Sequence, residues 1–351
     1  MNTNMKKLLT LALIVITMNA YAQENKKTTI EVPQWVKNIK FSGYGMLQYQ
    51  GEDMEDNRHN EFNLRLLRLI LDGKIGDFDW RAQIQGTSNA GPGNPTVMLV
   101  DLYTEWAKYK EFSVKIGQFK RAFTFENPMN PWDVGVGDYS FLVQKMSGMG
   151  DRLGEANMGG RDQGIQVQGD LIPMADDQYR LLHYQLGLYN GQGINLADAN
   201  KAKDIIGTLQ VQPVKGLYLG AFGWKGDWVN ASGTTLKRER ISAGLKYDVN
   251  NWTVRAEYAT ALAGEKEQSG AADALYVTVG VPVVDWFKVY AKWDEFRANG
   301  KSDSSHDMYS ACLNFRLHKN LNFQLEYRHH NNKLLAKPQY NELWFMSYIR
   351  F

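Results

Sequence analysis

The sequence is poor in the residues that hold small exported domains together or bind structural metals. It contains one cysteine, Cys312, and six histidines among 351 residues. One cysteine cannot form an internal disulfide, and no Cys/His spacing typical of a zinc site is present. Disulfide-stapled folds and structural metal sites are therefore excluded, and we expect no cofactor. Stability must come from packing and backbone hydrogen bonds.

The sequence also lacks a long apolar run and an excess of either charge. After the first residues, no stretch approaches the roughly 20 apolar residues of a membrane-spanning helix, and the mean hydropathy is −0.44. The formal net charge is +2, which leaves no basic excess for nucleic acid. If the protein resides in a membrane, it must be a β-barrel, because inward polar side chains keep the hydropathy of barrel strands low.

The first residues have the features of a secretory signal. Lys6 and Lys7 precede an apolar stretch, and an A-x-A cleavage motif ends at Ala22. Cleavage there would leave a formally neutral mature chain. The expected organisation is a signal peptide at 1–22, a periplasmic lead-in at 23–38 and a β-barrel domain at 39–351.

The remainder is a regular succession of short alternating segments, rich in aromatic residues and glycine. Their connections alternate strictly between turns of a few residues and loops of about ten residues or more, as in outer-membrane barrels. This pattern predicts an all-β, sixteen-stranded antiparallel transmembrane β-barrel with both chain ends on the short-turn side. The predicted strands are 40–50, 62–72, 78–86, 97–108, 112–123, 165–172, 179–189, 204–212, 217–224, 237–247, 252–261, 274–281, 286–296, 308–317, 321–328 and 340–351.

Alternation within the strands predicts which side chains face lipid. The segment 78–86 is the clearest case, because apolar and polar residues alternate strictly along it. Arg65 and Arg68 cannot share a face at period two, so we expect a β-bulge or a change of phase in their strand. The outward face is predicted to contain Phe78, Trp80, Ala82, Ile84, Ile165, Val167, Leu171, Phe287, Val289 and Leu325.

A long irregular segment separates the fifth and sixth predicted strands. A structureless loop of about forty residues is unusual in a compact domain, but it can be accommodated inside a wide barrel. We therefore expect residues 121–163 to fold inward as a constriction loop. Aromatic residues at the short turns predict an interfacial girdle, and the terminal Phe351 resembles the signal that the outer-membrane barrel assembly machinery reads.

Several short motifs, in order and spacing, resemble the phosphate-selective porin O and P family. They are Gly117-Gln118-Phe119-Lys120 followed by Phe123 and Glu126, then Gly160-Arg161-Asp162-Gln163-Gly164, then Asn190-Gly191-Gln192-Gly193 with Lys203 and Asp204. Ala122 stands where the family usually has proline. The resemblance spans nearly the whole mature chain, and it implies a sixteen-stranded, trimeric, passive pore in the outer membrane of a Gram-negative bacterium.

Charge patterning suggests which ions such a pore would prefer. Rings of Arg and Lys select anions. If side chains alternate along each predicted strand, the inward wall carries more basic than acidic residues. The long loop is the reverse, since its acidic residues outnumber its basic ones, so we expect only weak selectivity and no tight phosphate site. The basic candidates are Arg81, Lys115, Arg240, Lys246, Arg255, Lys288, Lys292, Arg316 and Arg328 on the wall, and Arg121, Lys145, Arg152 and Arg161 in the loop.

The sequence leaves other functional interpretations open. Wall pairs such as Arg255 with Glu257 could neutralise each other, and a pore for neutral sugars or peptides would depend on aromatic and Asn/Gln residues instead. A barrel enzyme would need a nucleophile near His329 and His330, but no serine lies near them in sequence. An adhesin would need longer outer loops. A passive channel for small solutes, with anions such as phosphate as the expected cargo, is the favoured interpretation.

Overall fold

Sixteen antiparallel strands form a closed barrel in the described part of the chain. The computed structural model describes residues 38–54, 60–88, 96–155 and 159–351, so the expected signal and nearly all of the lead-in lie outside the described residues. Each strand pairs with its neighbours in sequence, and β1 pairs with β16 to close the barrel. The predicted sixteen-stranded antiparallel β-barrel is confirmed. No helix in the described ranges is long and apolar enough to cross a membrane.

The strand bounds differ from the predicted ones mainly by being longer. They are β1 Lys40–Glu52, β2 Asn60–Ile75, β3 Phe78–Gly86, β4 Val97–Trp106, β5 Ser113–Lys120, β6 Arg161–Met174, β7 Tyr179–Tyr189, β8 Asp204–Val214, β9 Leu217–Val229, β10 Thr235–Val249, β11 Trp252–Ala261, β12 Asp273–Val284, β13 Phe287–Arg297, β14 Ser305–His318, β15 Leu321–Asn332 and β16 Gln339–Arg350.

The two ends of the barrel domain close on each other. The β1–β16 ladder runs from Tyr44 opposite Arg350 to Glu52 opposite Glu342. Beyond it, Gly43 and Phe351 exchange backbone hydrogen bonds of 2.9 and 3.0 Å. A Cβ atom on Gly43 would lie 2.6 Å from the Phe351 ring, so glycine lets the terminal aromatic residue pack against the first strand.

Burial follows the alternation expected of a barrel in lipid. Phe78, Ile84, Ile165 and Leu325 are exposed large apolar side chains, and the other predicted outward residues are partly exposed. The alternate positions carry polar side chains that are mostly buried or half-buried. The outward surface is therefore apolar, and the polar side chains point into the barrel.

The bulge expected near Arg65 is present. The β1–β2 register shifts between Met46 and Leu47, which pair with Leu66 and Leu64 respectively, so Arg65 is the extra residue. An extra residue reverses the parity of a strand. This explains how Arg65 and Arg68 both reach the interior, where they bond to Asp138 and Tyr44.

Three expectations about local structure were wrong. The sixth strand begins at Arg161, because Lys120 pairs with Arg161, so residues 161–163 belong to β6 and not to the loop. Pro173, Pro213 and Pro282, expected in turns, lie near strand ends, where a missing N–H is tolerated. Two short helices, α1 (Phe141–Met146) and α2 (Ala263–Ser269), occur where no helix was evident. They are too short to show an amphipathic period, and Ser140 caps α1 by accepting from Val143 N.

Candidate functional site: the interior of the barrel

Residues 121–160, hereafter the long segment, connect β5 to β6. Hydrogen bonds join the two ends of this segment, which form its base. Arg121 N donates to Gly160 O at 2.9 Å. The Asn127 amide donates to both of these residues' carbonyls, at 3.0 and 3.2 Å. Thr124 has a φ of 73°, a left-handed conformation that is rare for a β-branched residue. The segment therefore leaves the wall through a tight, strained turn.

Beyond this base, the backbone of the long segment bonds to inward side chains of β11, β13, β14 and β15. Such bonds satisfy the polar groups of an irregular backbone away from lipid. The contacts are Arg255 Nη1 to Val134 O at 2.8 Å, Asn314 Nδ2 to Gly135 O at 2.8 Å, Gly137 N to Glu326 Oε2 at 2.5 Å, and Phe141 N to the Asp294 carboxylate at 2.9 and 3.0 Å.

The long segment also contacts β16, β1 and β2, which follow β15 around the closed barrel. Asp138 forms an ion pair with Arg65 of β2 at 2.7 Å. Trp132 packs edge-on against Tyr44 of β1 and Tyr348 of β16, with ring centroids 6.5 and 5.3 Å apart. The segment therefore touches strands around most of the barrel's circumference.

Helix α1 forms the apolar part of this packing. Leu142, Val143 and Met146 are buried against Ala259 and Tyr276 of β11 and β12. A second buried cluster joins Phe123 to Trp224 of β9, with centroids 5.5 Å apart. Because these contacts remove apolar surface from water, they stabilise the segment against the wall.

A buried ion-pair cluster fastens the long segment to β6, β8, β10 and α2. Arg121, Arg238 and Arg240 are each 0% exposed, and the first two guanidinium groups lie 4.9 and 4.6 Å from the Trp224 ring centroid. Charges buried this deeply must be paired. The pairs are Arg121 with Glu155 and Asp162 at 2.8 and 2.7 Å, Arg238 with Glu155 and Asp204 at 2.7 and 3.2 Å, Arg240 with Asp151 and with Glu265 at 2.9 Å, and Arg152 with Glu265 at 2.6 Å.

Asp151 illustrates the electrostatics of this cluster. Burial alone would raise the pKa of its carboxyl, but the Arg240 guanidinium holds that pKa well below its usual range. A depressed pKa means that the carboxylate contributes stability above its unfolded pKa and loses it only as the pH falls toward the folded value. The Arg240–Asp151 contact should therefore persist under strongly acidic conditions.

The structure pairs most of the basic residues singled out in the sequence with carboxylates. Besides Arg121, Arg152 and Arg240, these are Arg81 with Asp72 at 2.7 Å, Lys115 with Glu105 at 3.1 Å, Arg161 with Asp101 at 2.7 Å, Arg255 with Asp248 at 3.0 Å, Lys292 with Asp294 at 3.1 Å, and Arg328 with Glu326 at 2.9 Å. The partner suggested for Arg255, Glu257, was wrong. Glu257 instead accepts from Phe125 N and from the Ser242 hydroxyl.

A smaller set of interior cations has no carboxylate within ion-pair distance in the described part of the chain. Two buried carboxylates, Glu126 and Glu257, also lack a cationic partner and accept from backbone N–H groups. The linings of two interior cavities contain six Lys and Arg residues and four Asp residues. Fixed positive charge is therefore in excess around these cavities. The unpaired cations are Arg68, Lys120, Lys145, Lys246, Lys288 and Arg316.

Arg238 is one interior cation that was not predicted. It lies two residues before Arg240 on β10, so the alternation that placed Arg240 inward also places Arg238 inward. The signal was available, because the predicted strand 237–247 already included this residue.

Two cavities beside the long segment share Met129 and Asp248 in their linings. The larger has a volume of about 910 Å³ and lies against β6–β10. The smaller, of about 360 Å³, lies against β11–β15 and includes Lys288 and Arg316. His329 and His330, considered for catalysis, point to opposite faces of β15, and His330 stacks on Tyr340. They do not converge on one site.

Comparison with solved structures identifies the fold. The chain resembles an anion-selective porin from Comamonas acidovorans (TM-score 0.67, 12% identity, covering 89% of this chain and 99% of that one). It also resembles OprB of Pseudomonas putida (TM-score 0.62, 10% identity, 90% and 95%) and the outer membrane channel DcaP of Acinetobacter baumannii (TM-score 0.60, 10% identity, 89% and 97%).

A comparison with curated protein sequences found no match. The family description "Gram-negative porin" matches residues 10–334, most of the chain. Family and fold together indicate a channel and not an enzyme. The chain therefore belongs to the Gram-negative porin family and is a protein of the outer membrane of a Gram-negative bacterium.

Proposed function

We propose that the protein is a passive, water-filled channel for small solutes, with a weak preference for anions such as phosphate. The observation that carries this proposal is the set of interior cations without a carboxylate partner. Lys246 lines the larger cavity, and Lys288 and Arg316 line the smaller one. Their field acts over about 8 Å at physiological salt, a distance comparable to the width of a narrow lumen.

The long segment is the proposed constriction. Its hydrogen bonds to β11, β13, β14 and β15, together with its contacts with β1 and β2, support a position across the lumen. Because its own arginines are neutralised by buried carboxylates, they do not form an exposed trap for phosphate. The preference for anions should therefore be weak and should come from the wall.

Sequence features and the closing seam support three further proposals. The motif resemblance to the phosphate-selective porin O and P family supports a homotrimer. The sequence of residues 1–22 supports export through a cleaved signal. The pairing of Phe351 with Gly43 at the closing seam is compatible with recognition of the terminal strand by the barrel assembly machinery.

The ion preference is tested by the reversal potential in a KCl gradient across a planar bilayer, repeated with potassium phosphate. The wild-type protein should give the sign of an anion-preferring pore in both salts. Replacing Lys246, Lys288 and Arg316 by alanine should shift the reversal potential toward cation preference. Lys237→Ala is the control, because this exposed residue on β10 lies outside the interior set.

An unchanged reversal potential in the triple variant would contradict the wall-charge mechanism. A wild-type pore that prefers cations would contradict the proposed selectivity while leaving the channel itself intact.

A further inference from the structure

The wall beside the larger cavity is rich in amide side chains. Inward positions of β6, β7 and β8 hold five glutamines. This wall, hereafter the glutamine wall, consists of Gln166, Gln168, Gln185, Gln210 and Gln212. The last three of these line the larger cavity.

The glutamine wall is partly ordered by its own hydrogen bonds. Gln168 Oε1 accepts from Gln166 at 2.5 Å and from Gln185 at 2.9 Å. Gln166 in turn accepts from the Tyr189 hydroxyl at 2.6 Å. Gln210 is half-buried, and its amide has no hydrogen-bond partner among the described residues. It therefore presents both a donor and an acceptor to the cavity.

Two of the cationic groups around this wall have acidic partners. His183 bonds to Asp170 at 2.7 Å, and Arg180 forms an ion pair with Asp177. Lys215 and Lys246 also line the larger cavity, and neither has a carboxylate within ion-pair distance among the described residues. Lys246 lies 4.9 Å from the Tyr218 ring centroid.

An amide offers both a hydrogen-bond donor and an acceptor, and so does a hydroxyl group. A neutral polyhydroxylated solute can bond to several glutamines without displacing a counterion. Binding sites for small molecules are concave and carry a few fixed polar groups. The larger cavity, at about 910 Å³, lies in the size range of such sites.

We propose that the glutamine wall is a weak binding site for neutral, sugar-like solutes in the larger cavity. This inference rests on the proposed channel function, because the solute reaches the wall through an open pore.

Single-channel recording with sucrose as the probe tests the proposal. Sucrose at increasing concentration should interrupt the current in a saturable way. Gln210→Met removes one free amide at nearly constant volume, and the double variant with Gln185→Met also removes an amide that donates to Gln168. The half-blocking sucrose concentration should rise severalfold in the single variant and at least tenfold in the double variant. Asn322→Met is the matched control, because this amide lines the smaller cavity, and it should leave the sucrose block unchanged.

Each alternative outcome has a distinct meaning. A current that falls only in proportion to solution viscosity would overturn the sugar site while leaving the channel proposal standing. So would a half-blocking concentration that is the same in Gln210→Met and wild type, or block by glycylglycine but not by sucrose. Absence of any current steps from correctly folded protein would overturn the channel function itself, and this inference with it.

Discussion

Replacing Arg240 by methionine should loosen the attachment of the long segment to the wall. The Arg240 guanidinium donates to Met146 O at 2.8 Å, to both Glu265 oxygens at 2.9 and 3.0 Å, and to the Asp151 carboxylate. It thus joins the segment to β10 and α2. Methionine keeps part of the side-chain volume and removes every one of these bonds.

The expected loss of stability depends on the partners that Asp151 and Glu265 keep in the variant. Asp151 would keep only backbone donors, Gly148 N at 3.2 Å and Leu153 N at 3.0 Å. Glu265 would keep Arg152 at 2.6 Å. Breaking a buried pair by removing one partner costs about 3–5 kcal/mol. Since both acids retain some partners, we expect a loss of about 3 kcal/mol in the free energy of unfolding.

Urea unfolding of the folded protein in detergent micelles measures this loss. Lys237→Met, an exposed position on the same strand, should change the free energy of unfolding by no more than about 0.5 kcal/mol. Adding Asp151→Leu to Arg240→Met should recover part of the loss, because the uncompensated buried charge is then removed. Equal stability of Arg240→Met and Lys237→Met would refute the claim that this cluster holds the segment.

A further prediction concerns the two faces of the barrel wall. Leu209→Lys places a charge on the lipid face of β8 at a cost of about 2–4 kcal/mol near mid-membrane and should reduce the yield of heat-modifiable folded protein on gels, whereas the adjacent Gln210→Lys should not. Equal yields would mean that the faces are misassigned.

The sequence predicted the barrel well because strand alternation is a local property. The face of Ile84 followed from period two alone, and the conflict between Arg65 and Arg68 predicted a bulge from the sequence alone. The ion pairs could not be found in this way. Arg240 and Asp151 are separated by 89 residues in sequence, and their contact depends on the path of an irregular segment.

The same limit applies to the prediction of ion selectivity. Parity correctly identified inward cations, but only three-dimensional contacts show that Arg81 and Arg255 are neutralised by Asp72 and Asp248. Lys288 and Arg316 look no different from them in the sequence. The cations that remain available to solutes could be distinguished only once the acids around each were located.

Single-channel conductance of the purified protein in planar bilayers tests the central claim most directly. A water-filled pore narrowed by the long segment should give discrete, ohmic current steps in KCl. Deleting residues 134–150, which include α1 and its apolar contacts, should raise the step size. Folded wild-type protein that gives no steps, or a deletion variant whose steps equal those of the wild type, would contradict the account.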